Sequence, residues 1–153
     1  MKTLNFKDKA PHFDLIDQNG QNVGLSDFIG KRLFLYFYPK ANTSGWATQA
    51  KNVRDALKEL KGKNIAVLGI SPDKPETQKK FNAKHNLGFS LLSDPDHKIA
   101  EAYGVWGEKK MYGKTFMGII RSSFLISKNG NIEKAWYKIS PKNTIPELMK
   151  VLG

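Results

Sequence analysis

The chain has 153 residues, 40% hydrophobic and 11% aromatic, a globular composition with length enough for one core. Its net charge of +11 is carried by lysines scattered along the chain, with no long basic run, zinc-finger spacing or RNP-like aromatic motif. A solvated basic surface is expected from this, and a nucleic-acid partner is not. There is no cysteine, which excludes disulfides, thiolate metal sites and cysteine nucleophiles.

His12, His85 and His97 are widely separated, so neither a metal site nor a cofactor is expected. No run of about 18 apolar residues suggests a membrane span. Met1 to Phe6 lacks the apolar core of a secretory signal, so a cytoplasmic location is expected.

In chain order, Ala10 to Leu15 enters a short strand, Gln18-Asn19-Gly20 marks a turn, and Gln21 to Leu25 returns as the second strand of a hairpin. Ser26-Asp27-Phe28 reads as one helical turn. Leu33 to Tyr38 is a dense apolar strand that stops at Pro39. The turn Lys40 to Gly45 follows, with Thr43 or Ser44 as the expected N-cap of a helix. Trp46, Ala50, Val53, Leu57 and Leu60 fall at steps of four and three and share one face of that helix, which Gly62 ends. Lys51, Arg54 and Lys58 lie on another, solvated face.

Ile65 to Ile70 is almost wholly apolar, as suits a strand covered on both faces. Helices are expected from the Ser71–Pro75 turn to about His85 and from Asp96 to about Tyr103, with a short strand Phe89–Leu92 between them. Gly104, Gly107 and Gly113 read as punctuating a loop. Gly118–Ile126 and Ile132–Tyr137 read as strands joined at Lys128-Asn129-Gly130, and Thr144–Leu152 as a closing helix. The order predicts an α/β protein with a thioredoxin-like fold. Its mixed sheet is flanked by helices on both faces and preceded by an N-terminal hairpin, with residues 1–153 as a single domain.

The segment from Tyr36 to Asp55 resembles the active-site segment of the peroxiredoxins, and most of all the bacterioferritin comigratory protein or peroxiredoxin Q branch. The likeness spans nearly the whole chain. It takes in Ala10-Pro11-His12-Phe13, Leu68-Gly69-Ile70-Ser71-Pro72-Asp73, Leu91-Leu92-Ser93-Asp94, Gly104-Val105-Trp106-Gly107-Glu108-Lys109 and Arg121-Ser122-Ser123-Phe124-Leu125-Ile126. In that family a Pro-x-x-x-Thr-x-x-Cys segment and a distant Arg build the peroxide site. The resemblance places Pro39, Thr43 and Arg121 on those positions. It places Trp46 on the peroxidatic cysteine and Lys51 on the resolving cysteine. Ser44 stands where proline is usual and Ala47 where threonine is usual.

The chemistry implied by the family needs a thiolate whose pKa is lowered by a helix N-terminus and a cationic Arg. An indole offers an N–H donor and no comparable nucleophile. The chain is therefore expected to be inactive as a thiol peroxidase, whether as a natural cysteine-free relative or as an engineered variant. The alternative is a non-catalytic binding protein that keeps the peroxide or anion pocket or the redox-partner surface. The resemblance implies a thioredoxin-like reductant for the family enzyme and a monomer.

Read from the residues alone, Pro39 ends a strand, Thr43 caps a helix, Arg121 is a surface cation, Trp46 is packing and Lys51 is solvated. Because an indole overfills a thiol pocket at a cost of about 1–3 kcal/mol, either the first helical turn shifts or the indole leaves the pocket. Arg121 is expected to take an anion or to stack on an aromatic ring.

Overall fold

The computed structural model describes residues 3–40 and 45–152. Its strands are β1 (Asp14–Asp17), β2 (Asn22–Gly24), β3 (Arg32–Phe37), β4 (Ile65–Ser71), β5 (Ser90–Ser93), β6 (Trp106–Met111), β7 (Lys114–Ile119), β8 (Ser122–Ile126) and β9 (Ile132–Trp136). Its helices are α1 (Trp46–Gly62), α2 (Pro75–His85), α3 (Lys98–Ala102) and α4 (Thr144–Leu152). Seven strands form one mixed sheet in the order β2-β1-β5-β4-β3-β8-β9. Strands β3, β4 and β5 run parallel, and β1, β8 and β9 pair antiparallel. This is the thioredoxin-like arrangement expected from the element order, with the hairpin β1–β2 at one edge.

The apolar run of β3 is explained by cover on both faces of the sheet. Leu33, Leu35 and Phe37 point into one core with Leu68, Ile70, Phe124 and Tyr103. Phe34, Tyr36 and Tyr38 point into the other, beneath α1, α2 and α4, with Trp46, Val53, Phe81 and Leu148. Gly69 makes room in that second core: a Cβ there would meet Tyr36 Cζ and Tyr38 Cε1, each at 3.1 Å. The two tyrosine rings lie across its bare backbone, 5.6 Å apart.

One sequence expectation fails. Residues 106–119 form a hairpin, not a loop followed by the start of a long strand. Strands β6 and β7 pair from Trp106↔Ile119 to Met111↔Lys114 and make a ribbon outside the main sheet. The turn is Tyr112-Gly113, with φ of 52° and 75°. Two positive φ values in a two-residue loop are what the strand twist requires. The ribbon carries Glu108, Lys109, Lys110 and Lys114 and faces solvent along most of β7, so it lacks the apolar alternation by which a strand is read. The expected strand 118–126 is two strands, broken at Ile120-Arg121.

The short helix α3 starts on a buried carboxylate. Asp94 accepts the amides of Ala100 at 3.0 Å and Ile99 at 3.3 Å. Burial nevertheless pushes its pKa up, against the pull of those amides. The folded carboxyl thus keeps its proton to a higher pH than the unfolded one. Between the two values the native state binds more protons, so stability rises as pH falls through the raised folded pKa and levels off below the ordinary carboxylate range. Asp94→Asn should abolish this dependence. Urea midpoints compared from about pH 7 to about pH 3 should therefore move in the parent's favour on acidification. A pH-independent difference would contradict the burial argument.

Candidate functional site

The site is built where β3 ends and α1 begins. Thr43 and Ser44, expected as the helix cap, lie outside the described residues. The residue before the helix is Gly45, in the left-handed region at φ 81°. A Cβ on Gly45 would sit 2.5 Å from Pro141 Cγ. Backbone geometry and close packing therefore ask for glycine here, and Gln49 N–H closes the first turn on the Gly45 carbonyl at 3.0 Å.

The helix is regular from Trp46 onward. The Trp46 side chain is 1% exposed. Its ring packs on Phe81 at 3.4 Å between centroids, Tyr38 at 5.8 Å and His85 at 5.6 Å. The contact with Phe81 is tighter than the usual spacing of about 4.5–7 Å. The indole Nε1–H is buried beside the Tyr38 hydroxyl but makes no hydrogen bond of normal geometry. That hydroxyl, pushed well above its ordinary range by burial, donates to Gln78 Oε1 at 2.6 Å. The first turn is intact, and the indole lies in the core with Tyr38 and Phe81. Lys51 is exposed on the outer face of α1. With Lys84 and Arg54 it adds to the burial that lowers the pKa of His85.

Arg121 stands in the break between β7 and β8. Its guanidinium donates to the Gln49 Oε1 oxygen, while Gln49 Nε2 donates to Thr144 Oγ1 at 2.9 Å. Burial lowers the pKa of Arg121, and the nearby Tyr36 opposes the shift. Sequence reasoning offered an anion or an aromatic ring as its partner. Gln49 was missed, although it lies three residues from Trp46 and so shares its side of the helix.

Pro39 and Arg121 come together in a cleft of about 580 Å³ at the carboxyl ends of β3, β4 and β5. Pro72 and Pro95 line it from the sheet side, and Trp106, Lys109, Phe116 and Met117 from the β6–β7 ribbon. Trp46 and Lys51 do not line it. The five residues singled out in the sequence are thus divided: two in the cleft, one in the core beside it, one on the surface and Thr43 outside the described residues. Among the described residues no group of His, Asp and Glu side chains is placed to hold a metal ion, and no helix is long and apolar enough to cross a membrane.

The profile of the AhpC/TSA family matches residues 6–135. The chain belongs to the AhpC/TSA family. Within it, the chain is 50% identical over 143 residues to the peroxiredoxin Bcp of Escherichia coli K12, covering 94% of this chain and 92% of that protein. It is 44% identical over 150 residues to peroxiredoxin Bcp of Bacillus subtilis, covering 98% and 96%. Among solved structures, a cysteine-to-serine mutant of Xylella fastidiosa PrxQ superimposes with a TM-score of 0.92 at 33% identity, covering 99% of this chain and 97% of that one. The bacterioferritin comigratory protein of Xanthomonas campestris does so with a TM-score of 0.86 at 34% identity, covering 92% and 89%. The chain is thus a peroxiredoxin of the Bcp/PrxQ branch with both reactive cysteine positions substituted, since its 153 residues include no cysteine.

Proposed function

We propose that this peroxiredoxin does not turn over peroxide and that its cleft serves as a binding site. The family reaction reduces hydrogen peroxide and organic hydroperoxides with electrons from thioredoxin or a similar dithiol. Alkyl peroxide reduction is an activity of the Xanthomonas campestris relative. The observation that carries the reading is the burial of Trp46 among Tyr38, Phe81 and His85. The side chain at the nucleophile's position is a structural one, and it carries no group that can attack an O–O bond.

The first turn of α1, Pro39 and Arg121 persist around that replacement, which favours a retained binding role as the second half of the proposal. The reading includes the monomeric, cytoplasmic setting expected from the sequence. The test is NADPH oxidation coupled through thioredoxin reductase and thioredoxin, with hydrogen peroxide or an alkyl hydroperoxide as acceptor. The unmodified chain should give the rate of the protein-free control, and Trp46→Cys combined with Lys51→Cys should give saturable turnover. Turnover by the unmodified chain would refute the proposal. A silent double variant that remains folded would mean that the site has diverged further than one pair of side chains.

A further inference from the structure

The β6–β7 ribbon stands outside the seven-stranded sheet, and every residue of β7 from Lys114 to Met117 is exposed. Side chains alternate across a strand, so this exposure belongs to both faces of the ribbon. The register sorts them. Phe116 pairs with Lys109 and shares its face with Lys114, while Met117 lies on the opposite face with Lys110, whose partner is Thr115. Phe116 is 43% exposed and Met117 51%. Each face thus offers water a large apolar side chain and a lysine.

At the tip, Tyr112 is 96% exposed and takes the first position of the two-residue turn at φ 52°. That position favours Asn, Asp or Gly, and a bulky side chain is disfavoured there. Packing does not explain the tyrosine, because its ring lies in water. Lys110 and Lys114 flank the turn, and among the described residues no ion pair includes either of them. The ribbon has a single carboxylate, Glu108, four residues back from the tip, and it has no arginine.

We propose that the ribbon tip docks on an anionic phospholipid bilayer. Tyr112 enters the headgroup layer, Lys110 and Lys114 meet the lipid phosphates, and Phe116 and Met117 come to rest at the boundary. The three residues of strand from Gly113 to Phe116 span about 10 Å, which matches the depth reached by elements that lie in a membrane interface. A rigid partner, a nucleic-acid strand included, lies against one face of a ribbon. A fluid that surrounds the tip covers both faces, and both carry apolar side chains here. Tyrosine suits the membrane–water boundary, with an apolar ring and a polar end. The charges are complementary as well. Each lysine held near an anionic surface strengthens binding by about fivefold, and the net charge of +11 adds a long-range attraction. Peripheral docking of this kind needs no spanning helix, and it depends neither on the cleft nor on peroxide chemistry.

The test is flotation of the full chain with vesicles of phosphatidylcholine, alone or mixed with phosphatidylglycerol, at about 0.1 M salt. The parent should bind the anionic vesicles saturably and the neutral ones at least about tenfold more weakly. Tyr112→Ser leaves every charge in place and should weaken binding by about fivefold. Lys110→Gln with Lys114→Gln should weaken it by about 25-fold, whereas Lys58→Gln with Lys80→Gln, which removes the same charge from α1 and α2, should cost less than about threefold. All of these variants should melt near the parent temperature, because the side chains they replace are exposed. The chain has no cysteine, so Tyr112→Cys or Lys58→Cys accepts one polarity-sensitive thiol dye. Its emission should move to the blue on anionic vesicles at position 112 and stay unchanged at position 58. The proposal is overturned if Tyr112→Ser binds like the parent, if the two double variants lose affinity equally, or if the dye at position 112 remains in water. It is overturned equally if neutral vesicles bind as well as anionic ones. Transfer of the surface to nucleic acid would follow, and the membrane assignment would fall, if a single-stranded oligothymidylate displaced the parent from vesicles and lost its own affinity with Tyr112→Ser.

Discussion

Trp46→Cys is expected to lower the melting temperature by about 10 °C, even if it restores a nucleophile. Replacing a buried Trp by a small side chain costs about 3–5 kcal/mol through lost transfer energy and the cavity left behind. Here the hole would open between Tyr38, Phe81 and His85. Part of that loss is offset, because the buried Nε1–H makes no hydrogen bond of normal geometry and removing such a donor returns about 1 kcal/mol, the low end of the usual range. A net loss of about 3 kcal/mol corresponds to about 10 °C for a domain of this size. Trp46→Phe separates the two contributions, since it keeps a ring and deletes the orphan N–H, and it should cost about 1 kcal/mol or less. Thermal melts of the three proteins would check this. A cysteine variant as stable as the parent would show that the indole is not a packing element.

The second large effect is expected at Gln78, which is fully buried at the start of α2. Its side chain joins three elements. It accepts from the Tyr38 hydroxyl after β3 and donates at 3.0 Å both to Ser71 Oγ at the end of β4 and to the Leu92 carbonyl in β5. Gln78→Leu keeps the volume but leaves a hydroxyl and a carbonyl in the core without their partner. Since each buried polar group stranded in this way costs about 1–3 kcal/mol, a loss of about 2–4 kcal/mol in urea unfolding is expected. Lys80→Ala on the exposed side of the same helix should stay within about 0.5 kcal/mol of the parent. Equal stability for the two variants would mean that the network contributes nothing beyond shape.

The parts of the fold that bury a regular face were legible in the sequence. The run Leu33 to Tyr38 and the stripe Trp46, Ala50, Val53, Leu57 and Leu60 give β3 and α1 directly, because each residue's neighbours in space follow from its own element's period. The β6–β7 ribbon was illegible for the opposite reason. It buries neither face fully, so its residues follow no period, and the Tyr112-Gly113 turn lacks the Asn-Gly or Asp-Gly signature that marked Lys128-Asn129-Gly130. The site was legible only in part. Resemblance put Pro39 and Arg121 at one place, and packing of Trp46 followed from its helical spacing. That Gln49 would hold Arg121, and that Lys109 would reach the same cleft from the ribbon, depends on contacts between residues 72 positions apart in one case and on an unread hairpin in the other.

The central claim is that the nucleophile's position is filled by a structural side chain, and the direct measurement is peroxide loss itself. Purified protein, treated with a chelator and supplied with a dithiol reductant, is mixed with hydrogen peroxide or an alkyl hydroperoxide, and the remaining peroxide is followed over time. The account predicts the rate of reductant and buffer alone at every protein concentration. Loss that scales with protein and saturates with peroxide would contradict it.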